Sequence, residues 1–291
     1  MNAELYDLLI LGGGPAGLSA AVAARGRNKS VLVVGNRWQD SPLARAECVD
    51  NYLGLPSMTG AELMDRFTRH AEESGANLVT GKVISLMAWE GFHLTVGNEL
   101  YEGSALILAP GVVRQAKYPG EMEYLGRGVS YCATCDGMLY RGKPVVVVGR
   151  SKDAPREAAY LKELGCQVVY VAARRPEQLD PAIPFVQANR LEVEGEQTVT
   201  GLRADGSLLP CSGIFILRAA VAPTDLLPGL ETENGAIRVD RRMATSIPGV
   251  FAAGDCTGEP LQVSKAVGEG LTAALSAAGD LDQLPQKDTA K

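Results

Sequence analysis

Hydrophobic runs of strand length alternate with stretches of helix length in two separate parts of the chain. The runs that predict strands cover residues 6–11 and 31–34 in the first part and residues 145–149 and 167–171 in the second. Between them, residues 18–24 are alanine-rich and residues 155–164 start with a proline, which predicts one helix in each part. Strands that alternate with helices form parallel sheets, so the pattern predicts an α/β protein.

The loop after the first strand carries the pattern G-x-G-x-x-G at Gly12, Gly14 and Gly17. The first glycine makes the turn, the second lets the backbone approach a pyrophosphate, and the third lets helix and strand pack closely. The loop therefore predicts a dinucleotide site, with a tight turn in a non-binding domain as the alternative. The second strand ends at Gly35-Asn36, and Asn36 stands near the place where an acidic residue usually binds a ribose hydroxyl.

A second part of the same site is predicted near the end of the chain. Residues 247–255 form an apolar strand that stops at Gly254-Asp255. Asp255 is placed to bind a ribityl hydroxyl, and a helix predicted over residues 262–278 would direct its N-terminus at a flavin pyrimidine. The dinucleotide domain is therefore expected to be split, with the middle of the chain inserted into it.

Cys132 and Cys135 form a Cys-x-x-Cys pair in the expected insert. Such a pair stores two electrons, and one of its thiols commonly has a lowered pKa. The alternatives are half of a zinc site or two unreactive thiols, but His70 and His93 offer no credible further ligands, so no metal site is predicted. Asp136 is the acid available to protonate a leaving thiolate, unless it only caps a turn.

The second glycine loop departs from the pattern of the first. Residues 149–154 place Ser151 where a glycine would let the backbone meet a pyrophosphate. Lys152 could still attract phosphate, and Arg174 and Arg175 follow the next strand, where a nucleotide 2′-phosphate could be bound. The loop predicts loss of pyridine-nucleotide binding, and retained NADPH binding stays open as the alternative.

Composition narrows the class of protein. The 291 residues suit two domains, and a net charge of −6 argues against general nucleic-acid binding. No apolar run approaches the roughly 18 residues that span a bilayer. The acidic start of the chain is unlike a secretory signal, so we expect a cytoplasmic protein that makes no membrane contact. Cys48, Cys166 and Cys211 are predicted to be small buried hydrophobic residues.

Five motifs follow one another along the chain: the glycine loop at 12–17, the segments 51–56 and 109–111, the cysteine motif at 126–136 and the Gly-Asp end at 251–255. Together they resemble low-molecular-weight thioredoxin reductases over nearly the whole chain. The resemblance implies FAD as the prosthetic group. The residues expected to hold FAD are Gly12, Gly14, Pro15, Ala16, Gly17, Gly35, Asn36, Asn51, Val83, Ala109, Gly111, Gly254, Asp255, Gln262 and Val263.

The same resemblance implies two Rossmann-like three-layer domains. A discontinuous FAD-binding domain is expected in residues 1–116 and 240–291, and an inserted redox domain with a degenerate NADPH-like fold in residues 117–239. The chain would cross between the domains near residues 111–117 and 239–243.

The family pattern also implies roles for the redox residues. Cys135 would face the flavin, Cys132 would attack the protein substrate, and Asp136 would donate the proton. The residues by themselves do not establish the order of the two sulfurs.

Some members of this family lack a working pyridine-nucleotide site and take electrons from ferredoxin. The damaged loop and the segments 51–54, 139–143, 157–161, 228–230 and 254–258 resemble that branch. The resemblance implies a homodimer in which electrons pass from ferredoxin through FAD and the cysteine pair to thioredoxin. The alternatives are an NADPH-dependent thioredoxin reductase, a flavin-bound redox sensor without turnover and a ferredoxin–NADP reductase, a class that lacks the cysteine pair.

An acidic ferredoxin would need a local basic surface on this acidic chain. Residues 141–156 are a candidate for that surface, because they hold only Asp153 as an acid. The cations in this segment are Arg141, Lys143, Arg150, Lys152 and Arg156. An ordinary solvated surface is the alternative.

Overall fold

The computed structural model describes residues 4–97, 99–112, 117–218 and 223–283. Over these residues the chain forms two units. Unit 1 combines residues 4–112 with residues 223–283, and unit 2 consists of residues 117–218. Both units are α/β and Rossmann-like, which confirms the predicted fold class.

The described strands, in chain order, are β1 (Glu4–Leu11), β2 (Val31–Gly35), β3 (Asn77–Thr80), β4 (Val83–Ala88), β5 (Phe92–Val96), β6 (Glu99–Leu108), β7 (Val129–Ser130), β8 (Pro144–Arg150), β9 (Gln167–Ala172), β10 (Phe185–Gln187), β11 (Leu191–Gly195), β12 (Val199–Ala204), β13 (Ser207–Pro210), β14 (Gly213–Arg218), β15 (Thr232–Glu233), β16 (Ala236–Ile237) and β17 (Val250–Ala252). The described helices are α1 (Pro15–Arg25), α2 (Gly60–Glu73), α3 (Ala133–Asp136), α4 (Ala154–Glu163), α5 (Pro223–Leu226) and α6 (Val263–Gln283). None of these helices is long and apolar enough to cross a membrane.

Unit 1 is built on a sheet in which β3, β2, β1, β6 and β17 lie parallel in this order. The first half of β6 pairs antiparallel with β5, and its second half pairs with β17. β4 extends the antiparallel part by pairing with β5. Because the five parallel strands end at one edge, the loops that follow them meet there.

Small residues let helices α1 and α6 pack closely against each other. Ala20, Ala21 and Ala24 of α1 are fully buried in the core that these helices share with one face of the sheet. At Gly270 of α6, a Cβ would stand 2.1 Å from the carbonyl O of Ala16, so a larger residue does not fit. This packing fixes the start of α1, where the first glycine loop ends.

Unit 2 has a parallel sheet in the order β10-β9-β8-β14-β7. Alternate residues of its central strands face opposite sides, as the period of a strand requires. Val145 and Val147 face a core that contains α4, whereas Val146 and Val148 face the antiparallel strands β11 and β12. Unit 2 therefore has three layers, with the parallel sheet in the middle.

The return of the chain to unit 1 comes earlier than the sequence analysis placed it. The crossing was predicted at residues 239–243, but residues 223–239 already group with unit 1. Ser246 shows why, because its hydroxyl accepts from the Glu231 amide at 3.0 Å and donates to the Gly229 carbonyl at 3.2 Å. These contacts join residues that are distant in sequence. At the outward crossing, predicted over 111–117, residues 113–116 lie outside the described residues.

Candidate active site

The first glycine loop lies between β1 and α1, at the edge where the parallel strands of unit 1 end. Gly12 has a φ of 122°, which other residues rarely adopt, and its amide donates to the Val34 carbonyl at 2.7 Å. Gly17 touches this turn, since a Cβ at residue 17 would stand 1.9 Å from the Gly12 carbonyl O. The turn and the helix are therefore in the close contact that the glycine pattern requires.

The start of α1 leaves backbone amides free. Gly14 is the N-cap and supplies no side-chain cap, and the next residue, Pro15, has no N–H. The amides of Ala16 and Gly17 have no acceptor among the described residues. A Cβ at Gly14 would meet no atom within 4 Å. Free amides beside open space are the features that bind a phosphate group.

Loops after neighbouring strands bring further predicted cofactor residues to the same edge. Gly35 ends β2 and lies against the glycine loop, where a Cβ would stand 2.5 Å from the Gly13 amide N. Ala109 follows β6, and its amide donates to the Leu11 carbonyl at 2.7 Å. The other predicted residues in loops at this edge are Asn36, Gly111, Gly254 and Asp255.

Two predicted residues from distant parts of the sequence are in contact. Asn51 Nδ2 donates to Gln262 Oε1 at 2.8 Å, and Gln262 directly precedes Val263, the first residue of α6. Val83 differs from the other predicted residues, because it is buried at the start of β4 and pairs with Val96. The structure gives Val83 a place in the sheet and no exposed position in a loop.

Asp255 follows the short strand β17, and its carboxylate accepts no hydrogen bond among the described residues. Burial raises the pKa of Asp255, and the nearby charge of Lys265 opposes this increase. A partly buried carboxylate without a partner is suited to bind a hydroxyl group of a ligand.

A polar network that the sequence analysis missed holds the loop around Asp255. Glu269 Oε2 accepts from the Gly254 amide at 2.9 Å and from the Thr257 hydroxyl at 2.8 Å. Lys265 Nζ donates to the Gly254 carbonyl at 2.9 Å and lies 3.2 Å from Glu269 Oε2. Lys265 and Glu269 are four residues apart on α6, and this spacing is the signal that could have indicated the pair.

The edge of unit 1 therefore fits a bound dinucleotide. The open space at Gly14 and the free amides at the start of α1 suit a pyrophosphate, and the unpartnered Asp255 suits a hydroxyl. These are the groups that FAD presents, so the residues present fit this cofactor.

In unit 2, Cys132 and Cys135 form a disulfide, with 5.4 Å between their Cα atoms. Cys132 is the N-cap of α3, and its Sγ accepts a hydrogen bond from the Cys135 amide at 3.0 Å. Cys132 is 5% exposed, whereas Cys135 belongs to the exposed residues. The family pattern, in which Cys132 attacks the substrate and Cys135 faces the flavin, stays a prediction.

Residues on both sides of the disulfide complete the redox loop. The Ser130 hydroxyl accepts from the Cys132 amide at 3.0 Å and donates to the Cys132 carbonyl at 3.2 Å. Asp136 ends α3 and is half-buried, and its carboxylate has no hydrogen bond among the described residues. Asp136 is therefore free to exchange a proton with a group that approaches the loop.

At the second glycine loop, the backbone amides that begin α4 are hydrogen-bonded to the loop itself. Ser151 Oγ accepts from the Ala154 amide at 3.1 Å, and Pro155 has no N–H. The next two amides both donate to the Asp153 carbonyl, at 2.9 and 3.1 Å. Every N–H in the first turn of α4 is therefore absent or already bonded, whereas α1 has two free amides. This helix start has no donor left for a phosphate.

The chain's own side chains pair with one another where the strand order of unit 2 switches, at the carboxyl ends of β8 and β14. β8 ends at Arg150 and β14 ends at Arg218, and these two residues lie opposite each other in the paired strands. Arg218 forms a two-pronged ion pair with buried Glu121, at 2.5 and 2.7 Å. Arg150 Nε donates to the Tyr118 hydroxyl at 2.5 Å. A nucleotide usually lies at this place in doubly wound sheets, so these side chains occupy its expected position.

Residues 6–270 match the family model described as pyridine nucleotide-disulphide oxidoreductase, which covers most of the chain. The chain belongs to this family. The oxidoreductase is also 31% identical to the thioredoxin reductase of Listeria innocua, over 97% of this chain and 96% of the relative.

Solved structures narrow the class of this oxidoreductase. A ferredoxin-flavin thioredoxin reductase from Clostridium acetobutylicum is 42% identical, with a TM-score of 0.87, over 97% of this chain and 100% of that one. A thioredoxin reductase from Gloeobacter violaceus is 32% identical, with a TM-score of 0.79, over 99% and 98% of the two chains. The protein is therefore a thioredoxin reductase-type disulfide oxidoreductase and an FAD-binding flavoprotein.

The predicted basic segment of this oxidoreductase, residues 141–156, does not form one surface. Arg141 and Lys143 precede β8, whereas Arg150 and Lys152 lie at its other end. Six strand residues, 144–149, lie between the two pairs, which corresponds to about 20 Å. We call the exposed cations at the carboxyl ends of β8 and β9 the basic edge: Arg150, Lys152, Arg156, Arg174 and Arg175.

The remaining cysteines of the oxidoreductase differ in exposure. Cys166 and Cys211 are buried as predicted, and burial raises the pKa of Cys211 to about 12. The prediction for Cys48 is wrong: it is exposed, and its thiol donates to Asp50 Oδ1 at 3.1 Å because its loop is polar. Within the described part of the chain, no three metal-ligating side chains come together.

Proposed function

We propose that this protein is a homodimeric thioredoxin reductase that receives its electrons from ferredoxin and not from NADPH. The closed second glycine loop carries the proposal, because Ser151 caps Ala154 and the first turn of α4 offers no amide to a phosphate. The Glu121–Arg218 pair supports it, because Arg218 ends β14 at the strand switch, where a nucleotide would otherwise bind. The similarity to a ferredoxin-flavin thioredoxin reductase of Clostridium acetobutylicum is independent support.

The energetics favour such a donor. A plant-type ferredoxin has a reduction potential near ~−400 mV, and thioredoxin has one near ~−270 mV. The difference of about 130 mV for two electrons corresponds to roughly 6 kcal/mol in the downhill direction. Ferredoxin can therefore reduce thioredoxin without a further source of energy.

We assign FAD binding to the edge of unit 1. Bound FAD supplies a group that exchanges single electrons with a one-electron donor and a pair of electrons with a disulfide. The amides of Ala16 and Gly17 bind its pyrophosphate, and Asp255 accepts a hydrogen bond from a ribityl hydroxyl. The Asn51–Gln262 contact fixes the start of α6 beside this site.

Cys132 and Cys135 transfer the reducing equivalents to thioredoxin. One thiolate of the reduced pair attacks the thioredoxin disulfide, and the second thiolate then breaks the mixed disulfide and releases reduced thioredoxin. Asp136 donates the proton that the departing thiolate of thioredoxin needs. By the family pattern, Cys132 is the thiolate that attacks thioredoxin and Cys135 is the one that faces the flavin.

The choice of donor is tested by the spectrum of the protein-bound flavin under anaerobic conditions. We expect reduced ferredoxin to bleach the oxidised flavin band at a rate that supports turnover, whereas NADPH and NADH in large excess leave it unchanged. Rapid bleaching by NADPH would contradict the proposal and leave the thioredoxin reductase assignment intact.

The basic edge is the candidate docking surface for ferredoxin. Charge reversal at Lys152 and Arg156 should reduce ferredoxin-driven turnover, with the largest loss at low salt. Arg141 and Lys143 provide the matched control, because reversing them changes the net charge equally at the opposite end of β8. Equal losses from the two double variants would show that only the overall charge matters.

The homodimer is proposed from the resemblance to the family. Size-exclusion chromatography with light scattering should give twice the chain mass of 30.7 kDa. A mass of 30.7 kDa at micromolar concentration would contradict this part of the proposal.

NADPH dependence remains the second candidate because of Arg174 at the end of β9. This residue is exposed and has no hydrogen bond or ion pair among the described residues, so it is available to a 2′-phosphate. Because Arg174 is also one of the five cations of the basic edge, replacing it with Ala should lower ferredoxin-driven turnover only slightly under our proposal, and less at high salt. A selective loss of NADPH-driven turnover in this variant would favour the second candidate.

A further inference from the structure

A buried ion pair in unit 2 contacts the residue that precedes the redox disulfide. Glu121 is 0% exposed and Arg218 is 6% exposed. Glu121 accepts two hydrogen bonds from Arg218, one from the Tyr131 hydroxyl at 2.8 Å and one from the Tyr118 amide at 2.9 Å. Such a carboxylate has its lone pairs satisfied, so burial leaves it charged.

The contacts of Glu121 connect three segments that are distant in sequence. Arg218 ends β14, Tyr131 follows β7, and Tyr118 lies near the start of unit 2. The Tyr131 ring also lies beside two cations, with Lys117 Nζ 4.9 Å and the Arg218 guanidinium carbon 5.8 Å from its centre. Both the ring and the hydroxyl of Tyr131 are therefore held.

Tyr131 is directly bonded to Cys132, so fixing Tyr131 fixes the backbone where the redox loop begins. Ser130 holds the same point from the strand side through the amide and carbonyl of Cys132. None of these contacts involves a sulfur atom, so reduction of the disulfide removes none of them, whereas the disulfide bond constrains the loop only when oxidised.

We propose that Glu121, with Arg218 as its counterion, is a positioning residue for the redox pair and acts through Tyr131. It holds Cys132 close to Cys135 in the dithiol form. The anchor thereby lowers the entropy that is lost when the two sulfurs bond. Releasing it makes the dithiol form more mobile, so the disulfide becomes easier to reduce.

The test measures the equilibrium of the pair against a glutathione redox buffer in the FAD-bound protein. Alkylation of free thiols and mass spectrometry of the peptide that contains both cysteines give the fraction oxidised. Tyr131→Phe keeps the ring and removes the hydroxyl, which donates to Glu121 at 2.8 Å and accepts from Lys117 Nζ at 3.2 Å. We expect the equilibrium constant for disulfide formation to fall about fivefold, because freeing the backbone of about one residue in the dithiol form adds that much conformational entropy to it.

Tyr124→Phe is the matched control, because the Tyr124 hydroxyl donates to the Gly195 carbonyl at 2.7 Å in the same unit and away from the redox loop. It should lower thermal stability as Tyr131→Phe does and leave the redox equilibrium within twofold of the parent. Glu121→Gln should shift the equilibrium in the same direction, and Tyr131→Phe should have a smaller effect in the Glu121→Gln background than in the parent protein.

The proposal is overturned if Tyr131→Phe leaves the equilibrium constant unchanged, or if Tyr124→Phe shifts it equally. Should Glu121→Gln not fold, the comparison of the two tyrosine variants still decides. The readout does not involve ferredoxin or NADPH, so it is independent of the outcome for the electron donor.

Discussion

Gly14 offers a way to impair FAD binding without disturbing the fold. It has φ −87° and ψ −175°, ordinary extended angles, and a Cβ there would meet no atom within 4 Å. In Gly14→Ala, the less favourable N-cap and the reduced freedom of the unfolded chain act in opposite directions. We therefore expect the stability of the FAD-free protein to change by less than about 1 kcal/mol.

The cost should appear only when the cofactor binds. The new methyl group would occupy the open space beside the free amides of Ala16 and Gly17, where a phosphate must approach. Inserting a methyl group into a well-packed contact costs about 1–3 kcal/mol. The dissociation constant for FAD should therefore rise roughly 5- to 150-fold.

Substitutions at two other glycines serve as controls: one should lower the stability of the protein and the other should raise it. Gly17→Ala would place a Cβ 1.9 Å from the Gly12 carbonyl O, so it should destabilise the protein even without FAD. Gly268→Ala lies in α6 with nothing within 4 Å, so it should stabilise the helix by up to about 1 kcal/mol and leave FAD affinity unchanged.

The assay combines titration of the FAD-free protein, followed by the quenching of flavin fluorescence, with thermal unfolding of the same sample. Our reasoning predicts that Gly14→Ala loses affinity and keeps its melting temperature. Unchanged affinity in this variant would show that the phosphate does not bind at the start of α1.

Three further predictions concern single side chains. Cys135→Ser should abolish thioredoxin reduction while FAD stays bound; retained turnover would exclude the disulfide from the route. Lys265→Met removes the hydrogen bond to the Gly254 carbonyl, so FAD should bind several-fold more weakly with an unchanged circular dichroism spectrum, and equal affinity would contradict our account of that loop. Burial raises the pKa of Glu121, but the hydrogen bonds from Arg218 and its other partners lower it, so the pKa in the folded protein lies below the usual one. The ionised carboxylate therefore stabilises the folded protein above a pH of about 4.3, the pKa of a glutamate in the unfolded chain. This stabilisation is lost as the pH falls through the lower pKa of the folded protein. Glu121→Gln should lower the free energy of unfolding at pH 7 by about 3–5 kcal/mol, and the variant should lose less stability than the parent protein when the pH is lowered. The same dependence of stability on pH in both proteins would refute this.

Local patterns were sufficient to predict much of the fold. The first strand was predicted over residues 6–11 and is observed at Glu4–Leu11, and the last helix was predicted over 262–278 and is observed at Val263–Gln283. Both elements have a strong hydrophobic period and a clear loop at one end. The residues of the first glycine loop come from a single stretch of chain, so their spacing alone indicated the edge where they lie.

Contacts between distant residues could not be predicted in this way. Glu121 and Arg218 are 97 positions apart and meet only because β14 ends beside the start of unit 2. The split of the basic segment likewise depends on Arg141 and Arg150 lying at opposite ends of β8. Spacing in sequence does not show which charges share a surface unless the element that separates them is known.

The steady-state reduction of thioredoxin with each electron donor tests the central claim most directly. Purified FAD-bound protein is supplied under anaerobic conditions with reduced ferredoxin, NADPH or NADH, and the appearance of thioredoxin thiols is measured. Our account predicts turnover with ferredoxin alone and its loss in Cys135→Ser. Equal or faster turnover with NADPH would contradict it.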